Sequence, residues 1–317
     1  MRALLAITLA AIYGLVIRLL FGFAEELLPI MSITFIFLVP GGVGYLTVRL
    51  IPSVRTHVGA FFAPWLTSLV LLFITVMLSM EGAICWIMAF PIFAVFAGIG
   101  GLIAFSQRPR EDPDADHRQP PRLYVSLLVA APLLLGLMEG ERTLVPQQLT
   151  ISREVVVSAS PAAVWQQLAR GRAGAPPAGT HSLSTLLGFP RHLTTTLDSL
   201  QVGGRRVAYY EKGLYFEETV TSYQPARQLV LRVDANPGTV PPAVMDEHIL
   251  IGGKHLDILE DTYYLTSLSG GRTRLRLASQ FYINTPFNWY AELWARYLMA
   301  DILDGELASV TARASAR

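Results

Sequence analysis

The sequence predicts an all-α transmembrane bundle over residues 1–140 and, over residues 150–317, an α+β domain in which a long C-terminal helix closes a bent antiparallel sheet. Three observations carry this expectation. The composition, 52% hydrophobic and 15% charged with mean hydropathy +0.42, is too apolar for an ordinary soluble chain, so part of it belongs in lipid. The long apolar runs all lie in the first half, and after about Thr150 the pattern changes to short β-rich segments separated by turn residues. Finally, residues 285–313 (TPFNWYAELWARYLMADILDGELASVTAR) carry helical periodicity.

Five apolar runs, residues 3–23, 28–50, 58–80, 83–105 and 123–138, are each near the length that crosses about 30 Å of hydrocarbon, the last being the shortest. Arg18 late in the first run and the lack of a small-residue cleavage site before Glu25 argue that this run stays attached. Pro40, Gly41, Gly42, Gly44, Pro64, Pro91 and the Gly98–Gly101 segment serve kinks and close helix contact. Arg18 and Glu81 are expected near the outer interface, with Arg18 snorkelling and Glu81 capping a tight turn. The basic residues Arg2, Arg49, Arg55, Arg108, Arg110, Arg118 and Arg122 share one side, which places the N-terminus in the cytoplasm. The C-terminal domain then lies outside the inner membrane; if the short fifth run lies on the surface instead, the domain is cytoplasmic.

Residues 106–122 read as a charged, Pro-rich cytoplasmic loop whose Asp112, Asp114, Asp116 and His117 lack the glycine and terminal glutamate of a calcium loop. The net charge of +1 without basic clusters gives no reason to expect nucleic acid. Cys85, the one cysteine, sits in an apolar run and reads as a small apolar residue. Residues 245–261 (MDEHILIGGKHLDILED) gather acids with His248 and His255, but a Gly-Gly turn and alternating strand faces make a solvated hairpin the better expectation than a metal or acid-base site. No metal, cofactor or nucleotide fingerprint is present.

The later segments give a strand at residues 151–158, a helix at 161–170 opened by Ser160-Pro161, and strands at 205–210, 214–223, 228–233, 256–268 and 273–283. With the closing helix these make a helix grip. Thr285-Pro286 supplies a helix start, and Phe287, Tyr290, Leu293, Trp294, Tyr297 and Leu298 form an arc read as the inner face. Glu292, Arg296 and Glu306 are assigned to the wet side. Asp301 projects from the aromatic arc, where burial raises its pKa unless Arg205, Arg206 or Arg232 pairs with it.

The segments REVVVSASPAAVWQQLA, ETVTSYQPARQLVLRV, SLSGGRTRLRLASQF and FNWYAELWARYLMADIL, in this order, resemble the SRPBCC superfamily, the START-like or Bet v 1-like fold that includes polyketide cyclase and dehydratase-like proteins. The resemblance covers about residues 151–313, and the whole chain resembles bacterial membrane-anchored members. It implies an apolar pocket between sheet and closing helix. Chosen by element, the expected lining is Trp165, Tyr209, Phe216, Phe281, Tyr290, Trp294, Tyr297 and Asp301, although the same aromatics can simply fill a core. Three functions follow: a membrane-anchored binding module for a hydrophobic small molecule such as a membrane lipid, a cyclase- or dehydratase-like enzyme on a membrane-soluble substrate, or an interaction protein with a filled core. For the first, ligand entry from the membrane is expected through residues 171–190 or 236–245.

Overall fold

The computed structural model describes residues 2–24, 26–78, 80–108, 125–139, 144–169, 183–186, 189–240 and 250–315. The chain divides into two compact units, Met1–Leu144 and Val145–Arg317.

The first unit is helical: α1 (Arg2–Phe23), α2 (Val39–Leu50), α3 (His57–Met77), α4 (Ala83–Ser106) and α5 (Val125–Glu139). Three of its helical segments, Ala3–Phe23, His57–Met77 and Cys85–Ser106, are long and apolar enough to cross a membrane, whereas Thr34–Leu50 and Leu127–Glu139 are shorter. The run expected as one helix from residue 28 therefore begins only at a π-helical turn, Thr34–Leu38, that leads into α2. The physical reason lies at its start. Glu139 accepts hydrogen bonds from the backbone N–H groups of Ile33 (2.5 Å) and Thr34 (2.9 Å), satisfying donors that a helix N-terminus leaves open. The acidic loop residues 112–117 lie outside the described residues.

Small residues let α2 and α4 touch backbone to backbone. A Cβ built on Gly44 would lie 1.8 Å from the Ala97 carbonyl oxygen, and one on Gly100 would lie 1.9 Å from that of Gly41. The packing role expected for these glycines is thus enforced by sterics. Arg18 departs from expectation. It is buried and donates to Glu81 at 2.7 Å and to the Met80 carbonyl at 3.1 Å, joining α1 to the α3–α4 turn by a charge pair in place of snorkelling.

The second unit is an antiparallel seven-stranded sheet in the order β1-β7-β6-β5-β4-β3-β2. Its strands are β1 (Pro146–Val157), β2 (His192–Leu197), β3 (Arg205–Tyr210), β4 (Tyr215–Gln224), β5 (Gln228–Asp234), β6 (Leu256–Leu268) and β7 (Arg272–Asn284). The helices are α6 (Pro161–Ala169), the single turn α7 (Leu183–Leu186) and α8 (Asn288–Ser315). The edge strand β2, HLTTTL, and the single turn α7 have no counterpart in the sequence reading, because both are short and β2 is rich in threonine.

The closing helix exists, but it starts at Asn288, whose Oδ1 accepts from the backbone N–H (2.8 Å) and hydroxyl (2.9 Å) of Thr285. It also turns a different face to the sheet. Met299, Leu303, Leu307, Val310 and Ala314 are buried, while Leu293 and Tyr297 are exposed. Half-buried Glu306 lies between turns of this buried stripe, so it points inward where a wet position was expected. α8 packs on β1, β7 and α6.

The glycine contacts lead to a first expectation. Gly100→Leu destabilises the full chain by more than about 3 kcal/mol, the upper range for overpacking, because the obstacle is backbone. Gly305→Ala on α8, where a Cβ meets nothing within 4 Å, instead stabilises by up to about 1 kcal/mol. Thermal unfolding in detergent checks both.

Candidate functional site

The core of the second unit is divided into three apolar groups. One lies between α6, the C-terminal half of α8 and the sheet, and includes Val164, Leu231, Leu275, Leu303 and Leu307. A second is built on Leu214, Phe216, Val233, Val240 and Ile251. The third joins Leu149, Phe281 and Ile283 to Met299. A polar cluster adjoins all three: its Tyr263 belongs to the first, its Tyr210 packs on the second, and Asp261 follows Ile258 of the third on β6.

Arg206 on β3 is at the centre of this cluster. It is opposite Glu218 in the strand register, and Arg206 Nη1 donates to Glu218 Oε2, both residues being only 6% exposed. Arg206 Nη2 lies 4.0 Å from Glu306 Oε1, and the same oxygen accepts from the Tyr263 hydroxyl at 3.2 Å. The guanidinium also lies over the Tyr263 ring, 5.9 Å from its centroid. On the other carboxylate oxygen, Glu306 Oε2 is 3.4 Å from His192 Nδ1, while His192 Nε2 is 2.7 Å from the Thr195 hydroxyl. Tyr210 places its ring 5.3 Å from His192 and 5.4 Å from Phe216.

Asp261 arrives here because β6 is irregular. In the register Ile258 faces Phe281, Glu260 faces Gln280 and Asp261 faces Ser279, so one extra residue, Leu259, reverses the alternation. Beyond this bulge Asp261, Tyr263 and Leu265 share the face of buried Ser279, Leu277 and Leu275. Asp261 therefore joins the cluster, in contrast to the solvated hairpin expected for residues 245–261. His255 lies outside the cluster, with Nδ1 2.8 Å from the Asn284 carbonyl, and His248 is outside the described residues.

Glu218 and Glu306 thus flank the Arg206 guanidinium, and burial sets the protonation of Glu218 and Asp261. Burial pushes Glu218 up to about 7, opposed by the attraction of Arg206, and pushes Asp261 up to about 6. His192 is moved down, first by burial, against the raising effect of Glu306. For Arg206 the burial effect is outweighed by Glu218, Tyr263 and Glu306, so it stays charged. Tyr210 and Tyr263 are held well above the ordinary phenol value by burial and the neighbouring acids. The cluster can therefore hold a proton on a carboxyl near neutral pH, donate from tyrosines and present a fixed positive charge. Arg206 Nε has no hydrogen-bond partner among the described residues, while the Asp261 carboxyl interacts with the hydroxyl of Ser279, its neighbour in the register.

The residues anticipated from sequence fall elsewhere on this framework. Phe216 touches the cluster through Tyr210. Trp165 and Phe281 pack in the first and third apolar groups. Tyr209 points to the opposite sheet face, 40% exposed and with its ring tilted against that of Tyr215 at 6.2 Å, so its neighbour Tyr210 is the inward ring. On α8, Tyr297 is 50% exposed and Tyr290 and Trp294 are half-buried. Asp301 accepts from the backbone N–H of Ser184 at 2.9 Å, while Arg205 pairs with Glu217 and Arg206 with Glu218, which removes the two as its expected partners. No single-residue signal marks Arg206, Glu218 or Glu306. The opportunity lay in Arg206 and Glu218 alternating with apolar Ala208, Phe216 and Val220 on one strand face.

The charges generate two expectations. Arg206→Leu leaves buried acids uncompensated and destabilises by about 3–5 kcal/mol, measured by chemical unfolding of the full chain. Glu218 and Asp261 have raised folded values, so the stability they contribute is complete below their ordinary values of 4.5 and 3.8 and is lost as pH rises through about 7 and about 6. His192 has the opposite sign, with its contribution lost as pH falls below 6.5. Relative to Glu218→Gln, the parent therefore loses stability as pH rises from 4.5 through about 7, read as the difference between their pH profiles.

No protein-family model matches this chain, and no curated protein matches it. Among solved structures it is similar to the Zhui aromatase/cyclase from Streptomyces sp. R1128, at 16% identity over 54% of this chain and 96% of that one, with a TM-score of 0.34. It is also similar to a truncated norcoclaurine synthase from Thalictrum flavum, at 14% identity over 54% and 92% of the two chains and a TM-score of 0.31. An AHSA1-like protein from Aeromonas hydrophila shares 18% identity over 53% of this chain and 93% of its own, at a TM-score of 0.30. Likenesses this weak leave the site to rest on the geometry of this chain.

Proposed function

We propose that the second unit binds a hydrophobic small molecule between the sheet and α8, and that the first unit anchors it in a membrane. The observation that carries this reading is the polar cluster around Arg206, set where three apolar groups meet. A core built only for stability gains little from burying three acids and one arginine, since packed apolar residues do as well or better. A site that must be apolar in its walls and selective at a few points has this composition. Covalent attachment to three helices of membrane-spanning length keeps the domain close to apolar ligands at high effective concentration, which favours a membrane lipid or another membrane-soluble compound.

A catalytic use of the same site is the second reading. Glu218 and Asp261, pushed up to about 7 and about 6, sit beside tyrosines and a histidine and are suited to proton transfer. In a cyclase- or dehydratase-like reaction they, and not Asp301, are the candidate acid-base groups.

Mass spectrometry of small molecules that co-purify with the full-length chain tests binding. A defined apolar compound retained by the parent and reduced severalfold in Tyr263→Phe and Glu306→Gln, with both variants folded, is the expected result. A parent that retains nothing beyond bulk membrane lipid, in the same proportions as the variants, sinks the reading. Turnover of the retained compound, lost in Glu218→Gln and Asp261→Asn, distinguishes an enzyme from a carrier.

The distribution of basic residues supports a cytoplasmic N-terminus, and five crossings would place residues 145–317 outside the inner membrane. Reporter fusions within residues 106–122 and after residue 317 check this. A reporter active only in the periplasm is expected to be silent at the first position and active at the second; activity reversed between them places the domain in the cytoplasm.

A further inference from the structure

The first three turns of α8 carry apolar surface that the second unit leaves open. Residues 288–298 (NWYAELWARYL) are rich in tryptophan, tyrosine and leucine, yet the buried residues of α8 begin only at Met299. Spaced four apart, Trp289, Leu293 and Tyr297 form one stripe, 65%, 63% and 50% exposed, with half-buried Tyr290 and Trp294 along its edge. The Tyr290 ring lies edge-on to Trp289 at 5.6 Å, which holds the two rings together on this surface. Single exposed apolar side chains are ordinary, but a contiguous stripe of them marks a surface that meets something.

Two observations say what covers it. The stripe is fastened to the start of the second unit: Asn288 Nδ2 donates to the Val145 carbonyl at 2.6 Å, Gln147 Nε2 donates to Glu292 Oε2 at 3.0 Å, and Val145 is itself an exposed apolar residue. Val145 stands six residues after Glu139, the charged last residue of the apolar helix α5, and six residues reach at most about 20 Å when fully extended. The other observation is chemical. Tryptophan and tyrosine join an apolar ring to a polar tip, and the paired charges of Glu292 and Arg296 border the stripe, a combination suited to the boundary between hydrocarbon and headgroups. We propose that Trp289, Leu293 and Tyr297 insert into the headgroup region of the bilayer that holds the first unit, so that the N-terminal half of α8 lies on the lipid surface. This rests on the anchoring reading above and is independent of whether the core binds a ligand.

Spin labels on the full-length chain, with Cys85→Ser removing the native thiol, test this in nanodiscs of palmitoyl-oleoyl phosphatidylcholine that carry one copy each. Labels are placed singly at Leu293→Cys, at Leu66→Cys on the exposed surface of α3, and at Tyr264→Cys on the outward face of β6, with unfolding profiles confirming that each variant is folded. Oxygen is expected to relax the labels at 293 and 66 severalfold more than a water-soluble nickel chelate does, with the reverse at 264. Adding Trp289→Ser and Tyr297→Ser is expected to remove the oxygen excess at 293 and leave that at 66 unchanged. A label at 293 that meets water while the one at 66 meets lipid overturns the docking and leaves the anchoring reading standing. A label at 66 that meets water counts against the anchoring reading itself. An oxygen excess at 293 seen only in discs holding two copies assigns the stripe to a second copy of the chain, and an excess that survives loss of Trp289 and Tyr297 shows that these rings do not carry the contact; both overturn the proposal.

Discussion

The pairing of Arg206 with Glu218 and Glu306 is the constraint on which the second unit depends. Arg206 and Glu218 face each other across the β3–β4 hairpin, whereas Glu306 comes from α8 far along the chain, so the full contact forms only when the helix lies across the sheet. Once formed, it fixes the rotation of α8. Glu306 must point inward, and the apolar residues at Met299, Leu303, Leu307 and Val310 follow it on the same side. The exposed Leu293 and Tyr297 are the consequence of that choice.

A buried arginine is costly unless its charge is matched, and three acids more than match it. The excess is resolved by protonation, with Glu218 and Asp261 held near neutrality by burial. Stability and protonation state are therefore coupled through the same few atoms. Asp301, half-buried on α8, lies outside this cluster and accepts a hydrogen bond from the Ser184 backbone N–H.

The first, helical unit solves a different problem with the same economy of means. Its helices approach closely where Gly44 and Gly100 remove the side chain, and the ends of its elements are joined by charge, Glu139 on the start of the second helical run and Arg18 on Glu81. Both charge contacts link residues distant in sequence, 106 and 63 positions apart, so they close the bundle more than they support any one helix.

Local periodicity was enough to read six of the seven strands, the first helix of the second unit and the existence of the closing helix, because each depends on residues near one another in sequence. Trp165, Phe216 and Phe281, chosen from their elements, pack in the three apolar groups of the core. Tertiary structure alone decided which face of α8 is inner, since its aromatic arc and its aliphatic arc are both plausible stripes and only the partner surface chooses between them. It also decided that Tyr210 and not Tyr209 points inward, and that Asp261 turns to the core face, because a single extra residue in β6 reverses every side chain beyond it. Arg206, Glu218 and Glu306 look like ordinary surface charges in sequence. They become a site only because strand register and helix rotation bring them together in a place that water leaves.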